Sequence, residues 1–258
     1  MFSKKSDHVL KCARCGLLYV AELRRKGDAE PYDEAYYTGA LFEDYIGSRE
    51  KLFRRFEQQL ARTERFVSPG RLLDVGCAVG FLLKVAEERG WEAVGIDVSQ
   101  YAVEWARQNL GVHALAGEVA QAGLPSGHFD LVTMLRTIQD LADPQQTLRE
   151  VHRLLKPGGL LLLETDNFGD PRLFLQRDRF YAFKSPYALV FFSPRTLKEL
   201  LRRTGFRPIR TQTFGLPFKH RLLSVKPLRL LLTKRFLLGH TLEVLAAKQK
   251  APTESREW

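Results

Sequence analysis

The sequence predicts an α/β fold with a mostly parallel sheet, helices on both of its faces and an antiparallel edge. Three observations carry that expectation. After Pro69-Gly70, short apolar segments alternate with helix-forming ones, and strands separated by helices need crossovers, which make neighbouring strands parallel. Leu160-Leu161-Leu162-Leu163 is apolar at every position, as befits a strand buried on both faces. Two later strand-like segments, Phe206–Phe214 and Thr241–Ala247, lack the usual helix pattern between them and suit an antiparallel edge.

Residues 1–68 read as a small N-terminal extension, and residues 69–258 as the main domain. In the extension, Cys12-Ala13-Arg14-Cys15-Gly16 precedes the apolar run Leu17–Val20, and Pro31–Tyr37 is an aromatic, acidic loop. Phe53, Phe56, Leu60 and Thr63 stand at three- and four-residue spacing, which predicts a helix over Ser48–Phe66. In the main domain, Arg71–Val75 reads as the first strand and Phe81–Arg89 as a helix closed by Gly90. Glu92–Asp97 is the second strand, and Ser99 caps a helix over Gln100–Leu110 that Gly111 stops. His113–Ala116 and Phe129–Leu135 are the third and fourth strands. Asp143-Pro144 opens a helix to Leu155. Lys156-Pro157-Gly158-Gly159 then turns into a fifth strand, Leu160–Glu164, and Ser193-Pro194 opens a helix to Thr204.

The chain has 258 residues, 45% hydrophobic and 27% charged, which fits a globular protein and argues against disorder. No apolar stretch reaches the roughly 18 residues of a membrane span, and no secretory signal is read at the N-terminus. Three cysteines are too few for a disulfide scaffold, so a cytoplasmic location is expected. The net charge of +10 invites a polyanionic partner, but a basic solvated surface accounts for it equally. From Leu216 onward nine basic residues stand against three acidic ones, so much of the excess lies in the last sixth of the chain.

The chemistry is concentrated in Asp74-Val75-Gly76-Cys77-Ala78-Val79-Gly80, at the end of the first strand. Glycines there let the backbone turn sharply and approach a ligand, and a helix N-terminus follows. Asp97 ends the second strand, where a carboxylate can bind both hydroxyls of a ribose. The spacing departs from the G-x-G-x-x-G dinucleotide fingerprint. It resembles the D-x-G-x-G-x-G motif of class I S-adenosylmethionine-dependent methyltransferases, with Ala78 at the middle glycine. The resemblance continues in order through Gly95–Ser99, Gly117-Glu118-Val119, Leu124–Val132 and Leu154–Gly159. Cys12–Leu17, Tyr32–Tyr37, Phe191–Pro194, Gly205-Phe206 and Gly239–Lys248 extend it to the bacterial "methyltransferase domain 23" group.

That resemblance implies a Rossmann-like, seven-stranded sheet, S-adenosylmethionine as donor, S-adenosylhomocysteine as product and a small-molecule acceptor. The donor-binding residues it implies are Asp74, Gly76, Cys77, Ala78, Gly80, Asp97, Val98, Glu118, Val119, Leu135, Arg136 and Tyr37. Asp97 would hold the ribose, Glu118 and Val119 the adenine edge, and the Asp74–Gly80 loop the methionine portion. Similar enzymes commonly carry Glu-His after the fourth strand; here Gln139 and Asp140 stand there, and Ala188 replaces a second histidine. Asp140 is the candidate general base, weak for an alcohol at an ordinary carboxylate pKa. Alternatively, the acceptor is already nucleophilic, catalysis is mostly positioning, or activity is lost; an active enzyme is expected.

Three alternatives to a small-molecule methyltransferase remain: a donor-binding protein without catalysis, an RNA methyltransferase, and a more distant nicotinamide dehydrogenase. A nucleic-acid partner is not expected, since no Asn-Pro-Pro-Tyr-like run follows the fourth strand. Tyr36 and Tyr37 read equally as a closure over the donor and as anchors of a surface loop. Arg136 reads either as a contact to an anionic group or as a solvated arginine. Cys12 and Cys15, with His8 as a third candidate, lack a fourth ligand, so no metal is expected. The basic, leucine-rich insertion at about 216–240 reads as a packed insertion, with contact to a membrane or a lipophilic substrate as the alternative.

Overall fold

The computed structural model describes residues 2–4, 7–21, 32–39, 44–170, 187–215 and 237–249. Its strands are β1 (Phe2–Lys4), β2 (Asp7–Lys11), β3 (Leu18–Val20), β4 (Arg71–Val75), β5 (Glu92–Asp97), β6 (Ala114–Ala116), β7 (Phe129–Leu135), β8 (Leu155–Asp166), β9 (Val190–Phe191), β10 (Phe206–Phe214) and β11 (Thr241–Lys248). Its helices are α1 (Glu34–Tyr37), α2 (Arg49–Thr63), α3 (Phe81–Glu88), α4 (Gln100–Leu110), α5 (Pro144–Leu154) and α6 (Pro194–Arg203).

The main sheet has seven strands in the order β10-β11-β8-β7-β4-β5-β6. β8, β7, β4, β5 and β6 are parallel, and β11 returns antiparallel between β8 and the outer strand β10. This is the expected α/β architecture with its antiparallel edge. Residues along each strand alternate between two cores. Leu72, Leu160 and Leu162 face α2, α3 and α4, whereas Leu73, Leu161 and Leu163 face α5 and α6. Burial on both sides is why the alternation is invisible in the sequence.

Local signals set most helix ends. Ser99 Oγ accepts from Ala102 N at 3.1 Å, and Gly111 closes α4 with φ 68°. Asp143 Oδ1 accepts from Gln146 N at 2.8 Å before Pro144, and Ser193 with Thr196 forms a capping box on α6. One expectation changes. Lys156–Gly159 does not form a separate turn: β8 begins at Leu155, and residues 156–159 bulge between the pairs Phe129↔Leu155 and Leu131↔Leu160. Asp130 holds the bulge, accepting from Lys156 Nζ at 2.8 Å on both carboxylate oxygens and from Arg71 N at 2.8 Å.

A second, antiparallel sheet was not expected. Its order is β1-β2-β3-β9, so a strand from beyond β8 completes a sheet begun by the N-terminal extension. Val9, Leu18, Val20, Phe168, Ala188 and Phe191 form its core. Most of the basic, leucine-rich insertion, residues 216–236, lies outside the described residues. No helix among the described residues is long and apolar enough to cross a membrane.

From β4 the chain steps outward to β5 and β6, then returns to β7 on the other side of β4. The carboxyl ends of β4 and β7 therefore diverge at a topological switch point, where open α/β sheets bind ligands.

Candidate active site

At that switch point, Gly76 has φ 79°. A Cβ there would lie 2.2 Å from Thr137 Oγ1, and Thr137 Oγ1 donates to Val75 O at 3.1 Å. Glycine thus lets the β4–α3 loop meet the end of β7. Ala78 stands at the middle-glycine position and still adopts φ 49°, at a cost on the order of 1–2 kcal/mol. Gly80, with φ 77°, ends the loop, and a Cβ there would lie 2.9 Å from Ala106 and Val112 side chains.

Asp97 is 8% exposed at the end of β5. Its Oδ2 accepts from Ala78 N at 2.8 Å and its Oδ1 from Ser99 N at 2.9 Å. The loop and the carboxylate therefore fix one another, and one lone pair per oxygen is left to accept further hydrogen bonds. Burial raises its pKa despite those bonds. Gly117 N donates to Asp97 O at 2.8 Å, which brings the Glu118 segment beside it.

A cavity of about 520 Å³ opens over these strand ends. Gly76, Ala78, Asp97, Val98, Glu118, Val119, Leu135, Arg136, Asp140 and Tyr37 line it. The other candidates, Asp74, Cys77 and Gly80, are not in its lining and shape the loop from behind. Asp74 is 3% exposed and accepts from Thr133 Oγ1 at 2.6 Å; burial pushes its carboxyl up to about 7. Cys77 is buried under the loop, its thiol pushed well up by burial.

Arg136 adopts φ 65° and grips Asp166 with two hydrogen bonds, at 2.5 and 3.1 Å. It lines the cavity and is held by a buried carboxylate while its own side chain stays exposed. Arg55 of α2 also reaches the cavity and pairs with buried Glu164. No sequence motif pointed to Arg55, Tyr45, Phe56, Thr137 or Leu189, which also line the cavity. They arrive from α2 and the turn before it, the β7 end and the segment leading into β9, and only folding brings them together.

The tyrosine-rich loop roofs the cavity. Asp33 caps α1 by accepting from Tyr36 N at 3.2 Å, and Ser99 Oγ donates to Tyr32 O. Tyr32, Tyr36 and Tyr187 form a ring cluster with centroids 5.0–5.6 Å apart. Tyr37 packs edge-on against Tyr36 at 4.9 Å and stacks on Tyr101 at 6.1 Å. Tyr36 and Tyr37 both line the cavity while packing against neighbouring rings. Tyr32 and Asp140 both line the cavity, and burial, then Asp140's charge, pushes Tyr36 up to about 12.

Asp140 ends a short 3-10 turn, Ile138–Asp140. Gln139 serves architecture instead. Its amide donates to Arg136 O, its Oε1 accepts from Thr165 Oγ1 at 3.0 Å, and its backbone O accepts from Leu189 N at 2.8 Å. Ala188 is buried in the second sheet's core. Cys12 and Cys15 lie in the β2–β3 turn, outside the cavity lining. No cluster of three or more His, Cys, Asp or Glu able to hold a metal ion occurs among the described residues.

The model of the Methyltransferase domain family matches residues 48–211, from the start of α2 into β10. The chain belongs to that family. As a member it is an S-adenosylmethionine-dependent methyltransferase, with S-adenosylhomocysteine as the spent donor. It is 31% identical over 193 residues to a ubiquinone biosynthesis O-methyltransferase of Ruegeria pomeroyi, covering 66% of this chain and 72% of the relative. The corresponding enzyme of Pseudomonas aeruginosa (strain LESB58) is 34% identical over 112 residues, 41% of this chain and 47% of the relative, so the match spans under half of that enzyme. A SAM-dependent methyltransferase structure from Archaeoglobus fulgidus superposes with a TM-score of 0.60 at 21% identity, over 80% of this chain and 97% of that one, which shows the methyltransferase fold.

Proposed function

We propose that this methyltransferase transfers its methyl group to a small-molecule acceptor held beneath the tyrosine roof. The observation that carries the proposal is the mutual clamp of Asp97 with the β4–α3 loop, which presents a carboxylate and a glycine-lined turn to one cavity. In this reading Asp97 accepts from the ribose hydroxyls, and Glu118 and Val119 border the adenine. Gly76, Ala78, Leu135 and Arg136 border the methionine portion, with Asp74, Cys77 and Gly80 holding the loop that forms this wall. The bound donor supplies an electrophilic methyl carbon on a sulfonium. The protein's part is to align the acceptor behind that carbon, exclude water with Tyr32, Tyr36 and Tyr37, and take up the acceptor's proton at Asp140. The relatives named above are O-methyltransferases, which favours oxygen as the acceptor atom.

Calorimetric titration with S-adenosylhomocysteine tests the donor site. Asp97→Ala removes two hydrogen bonds to a charged group and should weaken binding by about 2–4 kcal/mol. A folded wild type that fails to bind would overturn the assignment. A second reading is donor binding without catalysis, motivated by Gln139 and Ala188 where similar enzymes carry a histidine-bearing pattern. Label transfer from methyl-labelled donor to any small molecule of a cell extract would eliminate it.

A further inference from the structure

Two guanidinium groups line the cavity, Arg55 of α2 and Arg136 at the end of β7. The methionine portion of a bound donor carries one carboxylate, so one guanidinium is left over. Arg136 is fixed from three sides. Its backbone stands at φ 65°, which a non-glycine residue keeps only where its surroundings impose it. Arg136 N donates to Glu164 O at 2.8 Å, the Gln139 amide donates to Arg136 O, and both Nη atoms donate to Asp166. Asp166 is buried behind the cavity lining, whereas Arg136 belongs to that lining with its side chain 42% exposed. Asp166 takes up two of the guanidinium's five N–H donors. Asp140 N donates to Thr137 O at 3.0 Å, so Arg136 and Asp140 stand at the two ends of one tight turn. An anion on Arg136 therefore lies beside the carboxylate assigned above to take up the acceptor's proton.

We propose, on the small-molecule reading of this site, that Arg136 is an anion subsite for the methyl acceptor and that the acceptor carries a carboxylate group. A guanidinium is a planar fork that matches the two oxygens of a carboxylate, and one already pinned in place loses little freedom on binding. Arg55, paired with Glu164 through one Nη atom, is left to the carboxylate of the donor. Asp97, Glu118, Asp140 and Asp143 also line the cavity. They repel an anion everywhere except where a guanidinium meets it, and they favour the single charge of a carboxylate over the double charge of a phosphate.

The test saturates the protein with S-adenosylhomocysteine, so that the donor's own carboxylate is in place, and titrates it with benzoate and with benzamide. The two probes share a ring and a shape, and only benzoate is charged. Benzoate should bind about ten-fold more tightly. Arg136→Gln, saturated with S-adenosylhomocysteine in the same way, should lose that preference, and Arg136→Lys should keep part of it. Equal affinity of the wild type for both probes would overturn the proposal, as would a preference that survives in Arg136→Gln. Tighter binding of phenyl phosphate than of benzoate would overturn the carboxylate. A second arm needs no variant: a small-molecule cell extract is split by anion exchange, and each fraction is incubated with the wild type and methyl-labelled donor. The retained fraction should be labelled, and label only in the unretained fraction would overturn the proposal. Label in neither fraction would instead overturn methyl transfer to a small molecule, and failure of S-adenosylhomocysteine to bind would overturn the donor site, so the failures are told apart.

Discussion

Asp74 and Asp140 are both carboxylates at the same sheet edge, yet their surroundings give them different tasks. Asp74 is enclosed behind the glycine loop, and burial pushes its carboxyl up to about 7. The unfolded value is about 3.9, so folding takes up a proton between about pH 4 and 7. Stability contributed by the protonated form is lost as pH rises through that window. Asp74→Asn keeps an acceptor for Thr133 but cannot ionise. Its melting temperature should match the parent's near pH 4 and exceed it increasingly toward pH 7, by the equivalent of about 2–4 kcal/mol. Parallel melting curves at every pH would contradict this. Asp140 lines the cavity, as does Tyr32. If it receives the acceptor's proton, Asp140→Asn should lower kcat by about 100-fold with the S-adenosylhomocysteine Kd within about two-fold, separable by steady-state kinetics and calorimetry.

Helix α2 owes its placement to polar contacts as much as to Phe56 and Leu60. Gln59, 1% exposed, donates from one amide nitrogen to Glu164 at 3.2 Å and Glu243 at 2.9 Å. Arg55 and Arg62 pair with the same two acids. Gln59→Leu conserves volume but leaves two buried carboxylates without their bridging donor. It should cost about 2–4 kcal/mol, seen as a lower denaturant midpoint with an unchanged slope. The periodicity of α2 is visible in the sequence because it repeats along one helix. The partners of Gln59 are not, since Glu164 and Glu243 are separated from it by 105 and 184 positions.

Across the whole molecule, the second sheet braces the cavity. Val20 N donates to Leu189 O at 2.9 Å, Leu189 N donates to Gln139 O at 2.8 Å, and Leu189 lines the cavity. Val20→Pro removes the first of these donors, a change worth about 3 kcal/mol within regular structure. Amide exchange at Leu189 and Val190 should accelerate, while the β4–β5 amides stay protected; uniform acceleration would instead signal global destabilisation.

The sequence by itself determined the parallel α/β core, the Asp74–Gly80 turn, Asp97 and most helix ends. Each depends on residues within a few positions of one another, where glycine, proline and capping side chains act directly on the backbone. Ten of the thirteen proposed site residues accordingly line one cavity. Only the tertiary structure decided the β3–β9 pairing, the Arg136–Asp166 lock, the entry of Arg55 and the shared cavity wall of Tyr32 and Asp140. Each joins segments far apart in the chain, and such pairings depend on how the packed layers meet and leave no periodic trace in the sequence.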